Sequence, residues 1–176
     1  MSPRYDIPKA APEPLRQVQL LINSVDLVHE VEWLADWLRD RRLEGQERRA
    51  RDLREALRAL VLVNNGVPLA ATALDVLNRA ATRLSLEFDE RGSVQVRRRG
   101  RRSRGDALDE VVAIVVRGML DGSWARLKAC RNCRWCFFDY SPNQSATWCS
   151  MKLCGNRAKT RAFRARRQQR RASTMR

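Results

Sequence analysis

Four cysteines near the C-terminal end restrict how this chain can fold more than any other feature. They form two close pairs, Cys130-Arg-Asn-Cys133 and Cys149-Ser-Met-Lys-Leu-Cys154, with fifteen residues between the pairs. Two pairs at this spacing are typical of structural zinc sites, where each pair supplies two thiolates to a tetrahedron. A reducing cytoplasm also favours a metal over disulfides. We therefore predict one structural Zn²⁺ ion with Cys130, Cys133, Cys149 and Cys154 as its ligands.

A fifth cysteine, Cys136, allows a second assignment in which Cys133 and Cys136 form the first pair. Cys136 lies between Trp135 and Phe137 in an apolar run, and a free cysteine in such a run packs as a small hydrophobe. We predict a packing role for it. Disulfides, incidental buried thiols and a redox or iron–sulfur site are the alternatives to zinc. The module has about 50 residues and few other apolar groups, so loss of zinc is expected to unfold it.

The positive charge is concentrated at the same end of the chain. The net charge is +15, and residues 126–176 hold 14 Lys or Arg against one acid, Asp139. Residues 1–125 are nearly balanced, with 21 basic and 19 acidic residues. Cations clustered in this way indicate a polyanion partner, most often nucleic acid. We expect DNA as the partner, with RNA or nonspecific polyanion binding as the alternatives.

The segment 156–172 is the predicted nucleic-acid-binding element. It has no glycine or proline and carries a stripe of Ala158, Ala162 and Ala165 between basic residues, which suits a helix that approaches a groove. The predicted contacts are Arg157, Lys159, Arg161, Arg164, Arg166, Arg167, Arg170 and Arg171. If Cys154 lies in the first turn of this helix, the helix N-terminus faces the zinc thiolates. A solvated tail is the alternative.

The N-terminal part, residues 1–125, is predicted to be a mainly helical domain with one small β-hairpin. Apolar residues recur at helical spacing in five segments and alternate with period two in one. The predicted helices are 15–25, 27–38, 47–64, 70–83 and 106–120, and the hairpin lies near 84–98. The four-cysteine module, called the finger below, occupies 126–176. The loop 97–104 holds six arginines and is either a second phosphate contact or a solvated loop.

The function classes that the residues disfavour are enzymes and membrane proteins. The single histidine, His29, falls on a predicted helix, and no catalytic triad, phosphate loop or paired carboxylates appear. No apolar run approaches the roughly 18 residues that span a bilayer, and no secretory segment opens the chain. We expect a cytoplasmic, nucleoid-associated protein that is not an enzyme. Its N-terminal domain is a candidate for binding a small effector or for forming a homodimer.

The residues around the second cysteine pair resemble a known signature. The stretch 149–159 is similar to the CGNR zinc finger, and residues 53–81 and 118–130 resemble the ABATE domain that commonly precedes this finger. Further matches to the finger are Trp135, Phe138, Asp139, Ser141, Asn143 and Trp148. The resemblance implies an ABATE-like helical domain, a treble-clef-like four-cysteine finger that ends in a basic helix, and a stress-related transcription regulator.

Two positions depart from the CGNR pattern. The first cysteine pair has two intervening residues where the family often has four, a spacing that still permits zinc binding. Ala146-Thr147 stands in place of the usual arginine pair before Trp148. We expect this replacement to remove two possible phosphate contacts.

Overall fold

The computed structural model describes residues 9–100 and 106–174, and it has the predicted fold class. Twelve helices and strands are named here in chain order: α1 Leu15–Ile22, β1 Val25–Asp26, β2 Val31–Glu32, α2 Leu34–Arg39, α3 Glu47–Val63, α4 Ala71–Ala81, β3 Leu84–Phe88, β4 Val94–Arg98, α5 Asp106–Leu120, β5 Leu127–Ala129, β6 Cys136–Phe138 and α6 Asn156–Thr174. The strands pair as β1–β2, β3–β4 and β5–β6, all antiparallel. Among the helices within the described residues, none combines the length and the hydrophobicity that a bilayer-spanning segment requires.

The helical core forms where α1, α3 and α5 pack together. Leu57 and Val61 of α3 and Val18 of α1 are fully buried, and α5 contributes Leu108. These residues recur at helical spacing along one face of each helix, so burying that face removes the apolar side chains from water together. The predicted hairpin is confirmed at β3 and β4, and it contacts α5 with Val96 buried. Residues 101–105, which include the second half of the arginine-rich loop 97–104, lie outside the described residues.

The helix predicted at 27–38 is wrong over its first half. The chain instead forms β1, a tight turn and β2, and helix α2 covers only Leu34–Arg39. The cause is Asp26, a buried residue whose carboxylate accepts hydrogen bonds from the backbone N–H groups of Val28 and His29 at 2.9 and 3.2 Å. Such local bonds compete with helix formation. His29 therefore lies in a turn, where its Nδ1 is 3.0 Å from Asp26 Oδ2.

The β5–β6 hairpin of the finger docks directly on the helical core. Asn65, just beyond α3, exchanges two hydrogen bonds with the backbone of Ala129, both 2.9 Å long. The neighbouring Asn64 Nδ2 donates to the carbonyls of Trp124 and Leu127 at 2.9 and 2.8 Å. A 3₁₀ turn, 123–126, precedes β5. The finger and the helical core are thus joined by side-chain amides that complete a strand edge.

Candidate metal centre

The first cysteine pair lies in the turn between β5 and β6. Cys130 follows β5, and its N–H donates to the carbonyl of Trp135 at 2.9 Å. Its own carbonyl accepts from Arg134 N, also at 2.9 Å, and Arg134 adopts a left-handed conformation with φ of 60°. The turn thereby closes on itself and brings Cys130 and Cys133 to the same side.

The second pair brackets the start of the basic helix. Cys149 precedes Ser150, whose Oγ accepts a hydrogen bond from Leu153 N at 3.3 Å. Cys154 lies in the helical turn Met151–Gly155, and its N–H donates to the Ser150 carbonyl at 3.0 Å. Helix α6 follows at Asn156, so Cys154 lies in the turn just before it. The expectation that this cysteine lies at the helix N-terminus therefore holds to within one turn.

The four sulfur atoms form a cluster that fits one zinc ion. All four residues are buried, and the four Sγ atoms lie within 4.8 Å of one another. The Sγ atoms of Cys133, Cys149 and Cys154 are 3.6 to 3.7 Å apart. A tetrahedron with Zn–S bonds of about 2.3 Å has edges of about 3.8 Å, so the cluster needs little rearrangement to hold the metal. Among the described residues Cys136 is not part of this cluster.

The thiols of the cluster are strongly coupled to one another. Hydrogen bonds from the thiols of Cys133 and Cys149 lower the pKa of Cys130. The same contact with Cys130 raises the pKa of Cys133 to about 12. Ionising one thiol therefore opposes ionising the next, and a bound divalent cation relieves that opposition because it stabilises every thiolate at once. The donor set of four thiolates suits zinc.

Comparison with protein families gives one match in each half of the chain. The CGNR zinc finger model matches residues 126–167. The ABATE model, described as "Putative stress-induced transcription regulator", matches residues 18–122. The chain belongs to the ABATE family. A comparison with curated proteins finds no match. The four clustered cysteines of this ABATE protein thus lie inside a segment that is itself recognised as a zinc finger.

A second layer of contacts links the metal site of the ABATE protein to α6. Asn132, between the first two ligands, donates a hydrogen bond from Nδ2 to Cys154 Sγ at 3.4 Å. Its Oδ1 accepts from the guanidinium of Arg161. Sequence reasoning assigned Arg161 only to phosphate contact and missed Asn132. One amide thus joins a ligand sulfur to the second turn of the basic helix.

A buried ion pair holds the loop between the cysteine pairs, and the sequence did not indicate it. Asp139 is fully buried and accepts from Lys128 Nζ at 2.9 Å. It also accepts from Ser141 N and Oγ at 2.9 and 2.6 Å and from Ala146 N at 2.9 Å. Burial alone would raise the pKa of Asp139, but these bonds outweigh it and lower the pKa to about 2. The carboxylate therefore stays charged and organises the loop.

The aromatic residues of the finger are mostly core. Trp135, Phe137 and Phe138 are buried, and Lys9 Nζ lies 4.6 Å from the centre of the Phe137 ring. Tyr140 is exposed, and its hydroxyl donates to a backbone carbonyl of the N-terminal segment at 2.7 Å. Stacking of exposed bases on the three buried rings would require the finger to open.

Helix α6 carries the predicted basic residues. Every position from 159 to 169 is exposed. Arg157, Lys159, Arg161, Arg164, Arg166 and Arg167 are all exposed, and Arg170 and Arg171 also lie on this helix. Ala158 is half-buried at the base of the helix. Phe163, which sequence reasoning did not single out, is 59% exposed in the middle of these cations.

Proposed function

We propose that this protein is a zinc-dependent DNA-binding transcription regulator in which the finger orients α6 on DNA. The observation that carries the proposal is the position of Cys154. This ligand lies in the turn that leads into α6, so zinc fixes the start of a helix that is exposed from 159 to 169. A helix that enters a DNA groove needs a rigidly held first turn and exposed basic side chains along its length.

The composition of α6 supports a phosphate-contacting role. Its 19 residues include no Asp or Glu, so no cation on it is neutralised within the helix. A helix fits the major groove of B-DNA, whose width of about 12 Å lets long side chains on both edges reach the phosphates. Phe163 supplies an apolar group at the same surface, suited to a thymine methyl. We expect the far end of α6 to gain order on DNA, because its like charges repel until phosphates neutralise them.

We assign a separate role to each of the two domains that the family models match. We propose a helical domain at 1–125 that regulates and a finger at 126–176 that binds DNA, in a protein of the cytoplasm and nucleoid. Neither family description names a catalytic activity, and the proposal assigns none. The helical domain also remains our candidate for the homodimer contact.

The DNA contact is tested by the salt dependence of binding. The zinc-loaded protein and its Arg164→Ala/Arg167→Ala variant are titrated with duplex DNA at several salt concentrations. Log K falls as log salt rises, and losing two phosphate contacts should reduce the steepness of that fall by about 2. Arg39→Ala/Arg91→Ala is the matched control, since it removes the same charge from the surface of the helical domain. Equal slopes for all three proteins would contradict the proposal.

The role of zinc is tested with single cysteine variants. Cys149→Ser should lose stoichiometric zinc and DNA binding, whereas Cys136→Ala should retain both. Elemental analysis of freshly reduced protein and DNA titration measure the two properties. The absence of bound metal in the unmodified protein would overturn the proposal. A competition between duplex DNA and single-stranded RNA then decides between the two nucleic acids, and preference for RNA would replace DNA as the partner.

A further inference from the structure

A cleft in the helical domain has the size of a small-molecule site. It has a volume of about 580 Å³ and lies between the start of α3 and the end of α4. Sites for small ligands commonly have volumes of about 300 to 1,000 Å³. The residues that line it are Gly45, Gln46, Arg48, Arg49, Asp52, Leu53, Val76, Arg79, Ala80, Thr82 and Arg83. None of them belongs to the finger, so this cleft is separate from the metal centre.

Four arginines dominate the lining of this cleft, which contains a single acid, Asp52. Their guanidinium groups come from two helices that converge there, Arg48 and Arg49 from α3 and Arg79 from α4, with Arg83 just beyond α4. Arg48 and Arg79 are exposed and have no ion-pair partner within the described residues. Cations gathered around one concave surface create a positive potential that an anionic ligand relieves.

Asp109 of α5 lies beside two of these arginines. Its carboxylate is 1% exposed and forms an ion pair with Arg49, while its second oxygen lies 4.0 Å from Arg83 Nη1. The close ion pair limits the conformations of the Arg49 guanidinium group, whereas the Arg83 side chain stays 55% exposed. Arg49 is thus paired with a buried carboxylate, and Arg48 and Arg79 remain for a ligand.

Two further features of the cleft define the ligand. The start of α3 already holds a carboxylate, because Glu47 in its first turn accepts a hydrogen bond from Gly45 N at 3.1 Å, so the arginines and not the helix end supply the positive charge of the cleft. One wall is apolar and is formed by Leu53, Val76 and Ala80. A fitting ligand therefore carries a compact dianion at one end and an apolar or aromatic body at the other.

We propose that this cleft binds a small phosphate monoester, with the phosphate held by Arg48 and Arg79 beside the start of α3 and the organic group against Val76 and Ala80. Guanidinium groups bind phosphate through paired, charge-assisted hydrogen bonds, and a phosphate monoester supplies the second negative charge that a carboxylate lacks. The proposal does not depend on DNA binding by α6. Helix α3 runs from this cleft to Asn64 and Asn65, which hold β5, so an occupied cleft borders the helix that supports the finger.

The proposal is tested by calorimetric titration of the zinc-loaded protein with phenyl phosphate, inorganic phosphate and phenol. We expect phenyl phosphate to bind more tightly than inorganic phosphate or phenol, because each of these supplies only one of its two groups. Arg48→Ala/Arg79→Ala should weaken that binding at least about tenfold, the loss expected when charge-assisted hydrogen bonds are removed. Val76→Trp should weaken it without changing the net charge, because the indole fills the cleft. Arg39→Ala/Arg91→Ala removes the same charge elsewhere and should bind as the unmodified protein does.

The outcomes separate the possible sources of phosphate. Absence of phenyl phosphate binding to the folded, unmodified protein would overturn the proposal, as would an equal loss in the Arg39→Ala/Arg91→Ala control. Duplex DNA is titrated against the same variants. If Arg48→Ala/Arg79→Ala weakened DNA binding and left phenyl phosphate binding unchanged, the cleft would be a DNA-backbone contact and the small-molecule site would be refuted. Thermal unfolding of each variant verifies that the fold is retained.

Discussion

Asn23 and Cys136, 113 positions apart, pair through hydrogen bonds as two residues of adjacent strands do. Asn23 Nδ2 donates to the Cys136 carbonyl and Cys136 N–H donates to Asn23 Oδ1, both at 2.8 Å. Cys136 is the strand partner of Ala129. On the opposite edge of the hairpin, Ala129 exchanges two backbone hydrogen bonds with the side chain of Asn65. The finger hairpin is therefore held on both edges by asparagines at the ends of α1 and α3.

Replacing Asn23 tests how much this pairing contributes to stability. In Asn23→Ala the buried N–H of Cys136 loses its partner, while its carbonyl keeps a bond from Gln19 Nε2 at 3.1 Å. We expect the free energy of unfolding to fall by about 1 to 3 kcal/mol, the cost of one unsatisfied buried donor. Urea denaturation of the zinc-loaded protein measures this change. Asn78→Ala, an exposed site on α4, is the control, and equal stability of the two variants would contradict the assigned role.

Replacing Asn132 tests the link between the metal and the basic helix. Asn132→Ala removes the hydrogen bond to Cys154 Sγ and leaves Arg161 without its Asn132 contact. Replacing a residue that hydrogen-bonds to a metal ligand typically weakens metal affinity by about 10 to 100-fold. We expect weaker zinc binding in that range, measured by competition with a chromogenic chelator. Asn143→Ala, exposed in the same finger, should bind zinc as the unmodified protein does; a similar loss in both would point to general destabilisation instead.

The thiol of Cys136 is expected to be unreactive in the folded protein. Complete burial raises its pKa to about 12, so almost none of it is thiolate at pH 8. The neutral thiol favours the folded state below the unfolded pKa of about 8.5, and this contribution is lost as the pH rises towards 12. Mass spectrometry after iodoacetamide treatment at pH 8 should find Cys136 unlabelled until denaturant is added. Labelling of the native, zinc-loaded protein at the rate of a free peptide would refute the assignment.

Neutralising Asp139 should destabilise the finger. Asp139→Asn leaves the ammonium group of Lys128 buried without its counter-charge, a change that typically costs about 3 to 5 kcal/mol. Because the pKa of Asp139 is lowered to about 2, its stabilisation is complete above the unfolded pKa of about 3.9 and is lost as the pH falls through 2. Urea denaturation at pH 7 measures the change. Asp75→Asn, on the exposed side of α4, should cost little, and a loss below about 1 kcal/mol for Asp139→Asn would show the pair to be weak.

Contacts close in sequence could be predicted directly. The spacing of the two cysteine pairs brought Cys130, Cys133, Cys149 and Cys154 together as ligand candidates, because each pair lies within a single turn of backbone. Period-two alternation predicted β3 and β4, and the lack of glycine and proline predicted α6. The structure confirms the fold class and brings the four sulfurs into one cluster. Periodicity failed at 27–38, where the carboxylate of Asp26 bonds the backbone of the turn.

Contacts distant in sequence were decided by the tertiary structure alone. Nothing around Asn23 or Asn65 marks them as partners of the finger, since their amides acquire that role only when packing buries the edges of β5 and β6. The sequence likewise does not show that Lys128 pairs with Asp139. Nor does it show that Arg48 and Arg79, which lie on separate helices, line one cleft. Metal-ligand spacing and helix propensity are local properties of the chain. Satisfying buried polar groups is a requirement of the whole fold, and for that reason only the assembled molecule shows which residues meet it.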